Sequence, residues 1–142
     1  MIVGVSPLSK DPKGFDMMQR TKFDICDGDH YSGEFLWKHI DKYYTIELNG
    51  DFMGFLKVEP DYLCLAEFEI IPKYRKQKLS YKILKVLNEI FNFKTIYIRP
   101  QDPIEFWKKI YKLKAINEEE GAYAIVEVIQ KSKFVKDFIS TK

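Results

Sequence analysis

The stretch from residue 62 to residue 93 constrains the fold of this chain more than any other. It begins with an apolar run, YLCLAEFEIIP, which ends at Pro72. A short run of this kind is typical of a β-strand that is covered on at least one face. A basic turn, KYRKQK, follows. The next segment has apolar residues at steps of three and four positions, which predicts an amphipathic helix: Leu79, Ile83, Val86, Leu87, Ile90 and Phe91.

The junction between the basic turn and this helix is predicted to bind an anion. The first N–H groups of a helix have no partner within the helix, and the helix dipole places partial positive charge at the same end. Both effects favour a phosphate group. Lys73, Arg75, Lys76 and Lys78 add cationic side chains at the same place. The alternative is a solvated basic turn that binds no ligand.

Residues 70–80, IIPKYRKQKLS, resemble the pyrophosphate-binding turn of the Gcn5-related N-acetyltransferases, the GNAT superfamily. That turn often reads V-x-P-x-(Y/F)-(Q/R)-x-x-G-x-(G/A). The matching positions are Ile70, Pro72, Tyr74 and Arg75. Ser80 is a small residue at the last position, whereas Lys78 stands where glycine is usual. The resemblance implies that coenzyme A binds here, since a lysine can still offer its backbone N–H to a phosphate.

A tight hairpin is predicted directly before this strand. Asn49-Gly50 supplies the positive φ values that a two-residue turn requires, and strands are predicted at 43–48 and 52–58. The pattern N-G-x-x-x-G, which ends at Gly54, is similar to the second and third strands of the GNAT superfamily.

The order of the predicted elements, β-α-α-β-β-β-α-β-α-β, also resembles the superfamily, over about residues 1–129. The remaining predicted strands are 2–5, 94–99 and 121–129, and the early helices are 15–23 and 34–40. The resemblance implies an α/β (α+β) fold with a GNAT-like mixed central sheet in a single domain. Residues 1–130 would form the acetyltransferase domain, and residues 131–142 a basic amphipathic C-terminal tail.

A last helix is predicted from Pro103 to Leu113. Asp102 suits its N-cap, Pro103 its first position, and Glu105 can complete a capping box. Its packing stripe is Ile104, Trp107, Ile110, Tyr111 and Leu113.

The resemblance implies where acetyl-CoA, the co-substrate of the superfamily, would bind. There the fourth strand diverges from the fifth and contacts the pantetheine arm and the thioester, while the turn holds the pyrophosphate. The corresponding residues here are Phe68, Ile70, Ile71, Lys73, Arg75, Lys76, Gln77, Lys78, Leu79 and Ser80.

Transfer of an acetyl group to an amine also needs a base and an acid. Glu67 and Glu69 share one face of the predicted strand, and either is a candidate base, with Glu69 preferred. The alternative is that each faces solvent or pairs with a lysine. The tyrosine that the superfamily often uses as acid falls on Trp107. Tyr111, one turn later in the predicted helix, is the candidate acid, or else a packed tyrosine.

Composition narrows the remaining classes of function. Hydrophobic residues make up 46% of the 142 residues, as in a folded domain. The 23 basic and 21 acidic residues leave a net charge of +2, so nucleic-acid binding through the basic turn and the tail is the lesser alternative. No apolar stretch is long enough to span a bilayer, and no basic leader segment is apparent. We therefore expect a cytoplasmic protein that does not associate with a membrane. His30 and His39 lie in no metal-binding motif, and no metal is expected.

Two function hypotheses follow. The first is an acyl-CoA-dependent N-acetyltransferase that acts on a small-molecule or peptide amine, attracted by the polar loop with Asp24, Asp27 and Asp29. The second is a catalytically degenerate GNAT-fold protein with an interaction or structural role. Its support is that three positions depart from the family motifs: Lys78 stands for glycine, Trp107 for tyrosine and Pro100 for asparagine. The tail could also serve a homo-oligomer or a protein partner.

Overall fold

Eight β-strands form one mixed sheet in the part of the chain that the structure, a computed structural model, describes. The structure describes residues 2–10, 12–25, 33–75, 79–100, 102–129 and 138–140. The strands are β1 (Val3–Pro7), β2 (Tyr43–Leu48), β3 (Asp51–Glu59), β4 (Cys64–Ile70), β5 (Thr95–Tyr97), β6 (Tyr111–Asn117), β7 (Ala122–Val128) and β8 (Phe138–Ser140). Their order across the sheet is β6-β7-β5-β4-β3-β2-β1-β8.

Strands β1 to β4 form an antiparallel meander, and β4 pairs with β5 in parallel. The chain crosses between β4 and β5 through a helical connection, as a parallel pair requires. Beyond β5, the hairpin of β6 and β7 folds back so that β7 lies between β5 and β6. The sheet is therefore mixed: β4 and β5 pair in parallel, as do β1 and the edge strand β8, and the other neighbouring strands are antiparallel.

Helices cover the sheet on both faces. The helices are α1 (Pro12–Ile25), α2 (Gly33–Lys38), α3 (Pro72–Arg75), α4 (Leu79–Phe91) and α5 (Ile104–Lys108). Successive side chains of a strand point to opposite faces, and β3 illustrates the division. Leu56 belongs to the large core cluster that contains the apolar side of α4, whereas Phe55 belongs to a smaller cluster with Met18 of α1 and Leu36 of α2.

The sequence predictions for the central stretch are confirmed. The predicted helix coincides with α4, the predicted strand contains β4, and the Asn49-Gly50 turn joins β2 to β3. Asn49 and Gly50 have φ values of 52° and 86°, as a hairpin turn of this kind demands. Within the basic turn, Pro72–Arg75 form a short helical turn, α3.

The predicted helix to Leu113 is wrong in its second half. Helix α5 ends at Lys108, and Tyr111 and Leu113 lie on strand β6. Tyr111 pairs with Val128 and Leu113 with Ile125, so pairing with β7 overrides the helical spacing of these apolar residues. The element order therefore contains one strand more than predicted before the tail.

The predicted helix cap is also wrong. Pro103 occupies the N-cap of α5, and among the described residues no side chain caps this helix. Asp102 instead accepts a hydrogen bond from the backbone N–H of Arg99 at 3.1 Å. Its carboxylate is therefore used by the segment that follows β5 and not by α5.

The C-terminal tail is described in part. Phe138–Ser140 form β8, which pairs in parallel with β1 at the edge of the sheet. The rest of the predicted tail, residues 131–137 and 141–142, lies outside the described residues, as do Asp27 and Asp29 of the polar loop. No helix in the described part of the chain is both long enough and apolar enough to cross a lipid bilayer.

Candidate active-site cleft

A cleft opens in the sheet between β4 and β5. In the described chain these strands pair at Cys64 with Thr95 and at Leu65 with Ile96, after which they diverge. The cleft has a volume of about 250 Å³. Its lining residues come from β4, the start of α4 and the segment after β5: Phe68, Glu69, Ile70, Arg75, Ser80, Arg99, Asp102, Pro103, Phe106 and Trp107.

On one side of the cleft, a glycine allows the chain after β5 to pack closely against the turn between β6 and β7, away from β4. The N–H of Ile98 donates to the carbonyl oxygen of Gly121 at 2.7 Å, and Ile98 is buried. Gly121 has a φ of 79°, and a Cβ there would lie 2.1 Å from the oxygen of Ile98. A side chain at this position would therefore both strain the backbone and prevent the close approach.

On the other side, a second glycine holds the far end of β4 against β3. A Cβ on Gly54 would lie 2.2 Å from the carbonyl oxygen of Glu69. One residue beyond β4, the N–H of Ile71 donates to the oxygen of Met53 at 2.9 Å. Because β4 follows β3 while the chain after β5 follows the β6–β7 turn, a wedge opens between them.

The Glu69 side chain lies between two guanidinium groups at this wedge. Nη2 of Arg99 donates to its Oε1 at 2.9 Å, and Nη2 of Arg75 donates to its Oε2 at 3.3 Å. Arg75 also donates through Nε to the carbonyl oxygen of Ile70 at 2.7 Å. The contact between Glu69 and Arg99 joins the two diverging segments across the cleft.

Asp102 anchors Arg99. Its carboxylate accepts the Nε of Arg99 at 3.2 Å and the Nη2 at 3.0 Å, in addition to the backbone N–H. The hydrogen bonds that Arg99 donates to Asp102, together with the one to Glu69, raise the pKa of Arg99 against the opposing effect of burial. Arg99 is therefore a permanent cation with two carboxylate partners.

The second strand glutamate, Glu67, has a different partner. The hydroxyl of Tyr43 on β2 donates to Oε2 of Glu67 at 2.5 Å. Tyr43 and Phe55 belong to the cluster beneath α1 and α2, and Phe55 is the partner of Glu69 in the β3–β4 register. Both glutamates therefore face away from α4, as the alternation in the sequence predicts.

Comparison with solved structures settles the fold. An aminoglycoside 6'-acetyltransferase type Ii is similar with a TM-score of 0.62 and 16% identity, over 87% of this chain and 94% of the other. An acetyltransferase of the GNAT family from Bacillus cereus gives a TM-score of 0.60 at 13% identity, over 92% of this chain and 100% of the other. This chain has the GNAT fold.

A GNAT-fold structure that holds coenzyme A is also similar. It is the PaiA N-acetyltransferase of Thermoplasma acidophilum in complex with coenzyme A, with a TM-score of 0.54 and 16% identity, over 88% of this chain and 99% of the other. No protein-family model matches this sequence, and neither does the sequence of any curated protein. The predicted GNAT-like fold class, in an α/β domain with a mixed sheet, is thus confirmed at the level of fold.

Only some of the predicted cofactor residues that the structure describes line the cleft. Phe68, Ile70, Arg75 and Ser80 line the cleft, and Leu79 is buried in the core. Ile71 and Lys73 instead line a neighbouring cavity of about 410 Å³, beside α1 and the β2–β3 turn. Lys76, Gln77 and Lys78 lie outside the described residues.

The two aromatic residues considered for the acid role lie next to each other in the GNAT fold. Trp107 lines the cleft, and Tyr111 stacks on it with ring centroids 6.4 Å apart and an angle of 17°. Tyr111 is 1% exposed, and within the described chain its hydroxyl has no hydrogen-bond partner. Burial raises the pKa of this hydroxyl.

The sequence did not point to Arg99 as a site residue, and it assigned Asp102 to a helix cap and not to the cleft. The signal available was their spacing of three residues directly after a predicted strand, which suits an ion pair in a turn. No group of three or more His, Cys, Asp or Glu side chains among the described residues is placed to hold a metal ion.

Proposed function

We propose that this protein transfers an acetyl group from acetyl-CoA to the amine of a small molecule or a peptide. The observation that carries the proposal is the cleft between β4 and β5, which opens beside the first turn of α4. Support also comes from the similar solved structures, which are acetyltransferases of the same fold.

The residues at the cleft fit acetyl-CoA in their chemistry. Arg75 and Ser80 stand at the end where α4 begins, and their donors suit a pyrophosphate. Lys76, Gln77 and Lys78 belong to the same binding turn in this proposal, as do Lys73 and Leu79. Phe68, Phe106 and Trp107 give the cleft apolar walls, which suit an extended pantetheine arm.

Acetyl-CoA supplies an already activated thioester, so few catalytic groups are needed. A C–N bond to the amine forms, the C–S bond of the thioester breaks, and the thiolate leaves. The backbone of residues 68–71, where β4 has left β5, would position and polarise the thioester carbonyl. Glu69 or Glu67 would accept the proton of the substrate ammonium. Tyr111 as the acid that protonates the thiolate stays a prediction.

The amine is proposed to approach from the face that carries the two glutamates. On this face α1 and α2 pack against β2 and β3, and Glu67 hydrogen-bonds Tyr43 of that cluster while Glu69 hydrogen-bonds Arg99 of the cleft. Carboxylates at this place favour a cationic amine.

Calorimetric titration of acetyl-CoA and of coenzyme A into the purified protein tests the proposal. We expect micromolar binding that Lys78→Glu weakens by about tenfold or more, because it reverses a charge at the phosphate turn. Lys114→Glu makes the same charge change on the exposed part of β6 and should bind as the wild type does. Release of free coenzyme A thiol with a panel of amines then identifies the acceptor.

The opposite result supports the second hypothesis. If millimolar acetyl-CoA gives neither heat nor a thermal shift, the protein keeps the GNAT fold without its chemistry. The network of Glu69, Arg99 and Asp102, which crosses the cleft, is the observation that favours this reading. The C-terminal tail would then be the first segment to delete in a search for a homo-oligomer or a protein partner.

A further inference from the structure

The carboxylate of Glu69 has two guanidinium partners that differ in how firmly they are held. Arg99 has Asp102 as a second partner, with three hydrogen bonds that include its own backbone N–H. Asp102 thus holds the Arg99 side chain in the position from which it bonds Glu69, and moving Arg99 would break several hydrogen bonds at once. Arg99 is a fixed partner.

Arg75 is held less firmly. Its side chain is 45% exposed, and its contact with Glu69 is the longer one, at 3.3 Å. Ion pairs that involve a side chain this exposed to water contribute little to stability. A stronger anion at the same place would therefore displace Glu69 from Arg75 at little cost.

The backbone holds the guanidinium group of Arg75 at the cleft without using all of its N–H donors. Its Nε bonds the carbonyl oxygen of Ile70 at 2.7 Å, which fixes one edge of the guanidinium group. Within the described part of the chain, Ile70 and Glu69 are the acceptors recorded for this side chain. The remaining N–H groups of the guanidinium fork can thus reach a ligand without loss of the Ile70 bond.

We propose that Arg75 is shared between Glu69 and the phosphate groups of the incoming ligand. Binding of the ligand places a phosphate oxygen against Nη2 of Arg75 in place of Oε2 of Glu69, which loses this donor, while Arg99 keeps Oε1 in place. Glu69 would then face the substrate amine with one oxygen oriented and one oxygen available. This inference rests on the proposed function and adds to it that cofactor binding prepares the base.

The exchange has a reciprocal consequence for affinity. If phosphate binding must first displace Glu69 from Arg75, then a neutral side chain at position 69 tightens phosphate binding. This gain in affinity should require Arg75, whereas a gain that came only from removing a negative charge would occur with or without Arg75.

Titration of inorganic pyrophosphate and of coenzyme A into four proteins tests this coupling: wild type, Glu69→Gln, Arg75→Gln and the double variant. We expect Glu69→Gln to tighten binding of both ligands by about threefold, as the loss of a weak exposed competitor predicts. Arg75→Gln should weaken binding. In the Arg75→Gln background, Glu69→Gln should change affinity no more than Glu105→Gln does. Glu105 is an exposed carboxylate on α5, paired with Lys108, and serves as the matched control.

Each outcome decides the matter. Binding by the wild type with no gain in Glu69→Gln, or an equal gain with and without Arg75, overturns the exchange but leaves the proposed function standing. No binding by any variant overturns the proposed function and the exchange together. Arg75→Lys, which keeps the charge but loses the fork, replaces Arg75→Gln should the latter fail to fold.

Discussion

The hydroxyl of Tyr43 donates a 2.5 Å hydrogen bond to Oε2 of Glu67, across the width of β3. Lys57 lies between them in the sheet register, with its Nζ 5.7 Å from the centre of the Tyr43 ring. One candidate base is therefore bound to the hairpin and the other, Glu69, to the arginines of the cleft. The two glutamates share a face but not an environment.

Loss of the Tyr43 hydroxyl should lower stability. We expect Tyr43→Phe to reduce the free energy of unfolding by roughly 1.5–3 kcal/mol, the range for a hydrogen bond to a charged group. Urea denaturation measures the change. Tyr81→Phe is the control, because no hydrogen bond is recorded for the Tyr81 hydroxyl in the described chain. An equal loss in the control would contradict this account.

Gly54 should not tolerate a side chain. Gly54→Ala places a Cβ against the backbone of Glu69, so we expect a loss of about 1–3 kcal/mol and weaker coenzyme A binding as β4 shifts. Gly50→Ala is the comparison. A Cβ there meets nothing within 4 Å, and its cost of about 1 kcal/mol comes from the positive φ alone. Denaturation and titration of both variants separate the two causes, and a weaker cofactor affinity in Gly50→Ala would show that the cleft is not the reason.

Removal of the Tyr111 hydroxyl tests both its burial and its predicted role. A buried hydroxyl without a partner costs free energy, so we expect Tyr111→Phe to be more stable than the wild type by about 1 kcal/mol. Thermal and urea unfolding measure this gain. If turnover falls at least tenfold while coenzyme A affinity is unchanged, Tyr111 is the acid; unchanged turnover removes it from the mechanism.

The ion pairs of Glu59 should make stability depend on pH. Burial raises the pKa of Glu59, but the hydrogen bond from Lys42 at 2.8 Å and the charge of Lys57 outweigh it, and the pKa lies below its ordinary value of 4.5. A carboxyl whose folded pKa is lowered stabilises the fold above the unfolded pKa. That contribution is lost as the pH falls below 4.5 through the folded pKa.

The measurement for Glu59 is the difference in unfolding free energy between the wild type and Glu59→Gln as a function of pH. We expect a difference under about 1 kcal/mol near neutral pH, because the side chain is partly exposed, and its disappearance in acid. Glu105→Gln, at a more exposed ion pair, should show a smaller difference. A difference that grows as the pH falls would contradict the assignment.

Local sequence patterns were enough to predict the elements that have a strong periodicity or a characteristic turn. The apolar steps from Leu79 to Phe91 match α4 at both ends, and Asn49-Gly50 places the hairpin because few other dipeptides adopt its φ values. The same reasoning failed at Tyr111 and Leu113. Their spacing suits a helix, but pairing with β7 decides the outcome, and that partner lies more than ten residues further along the chain.

Sequence patterns were enough to predict the fold class and the stretch in which the cleft lies, because helix periodicity, turn residues and strand alternation are properties of neighbouring residues. The hydrogen-bond network across the cleft, by contrast, depends on tertiary contacts. Glu69 accepts a hydrogen bond from Arg99, thirty positions away in the sequence. Gly54 and Gly121 allow the close backbone approaches that position the two segments on either side of the cleft. Contacts of this length depend on backbone approaches between strands, and no local pattern encodes them.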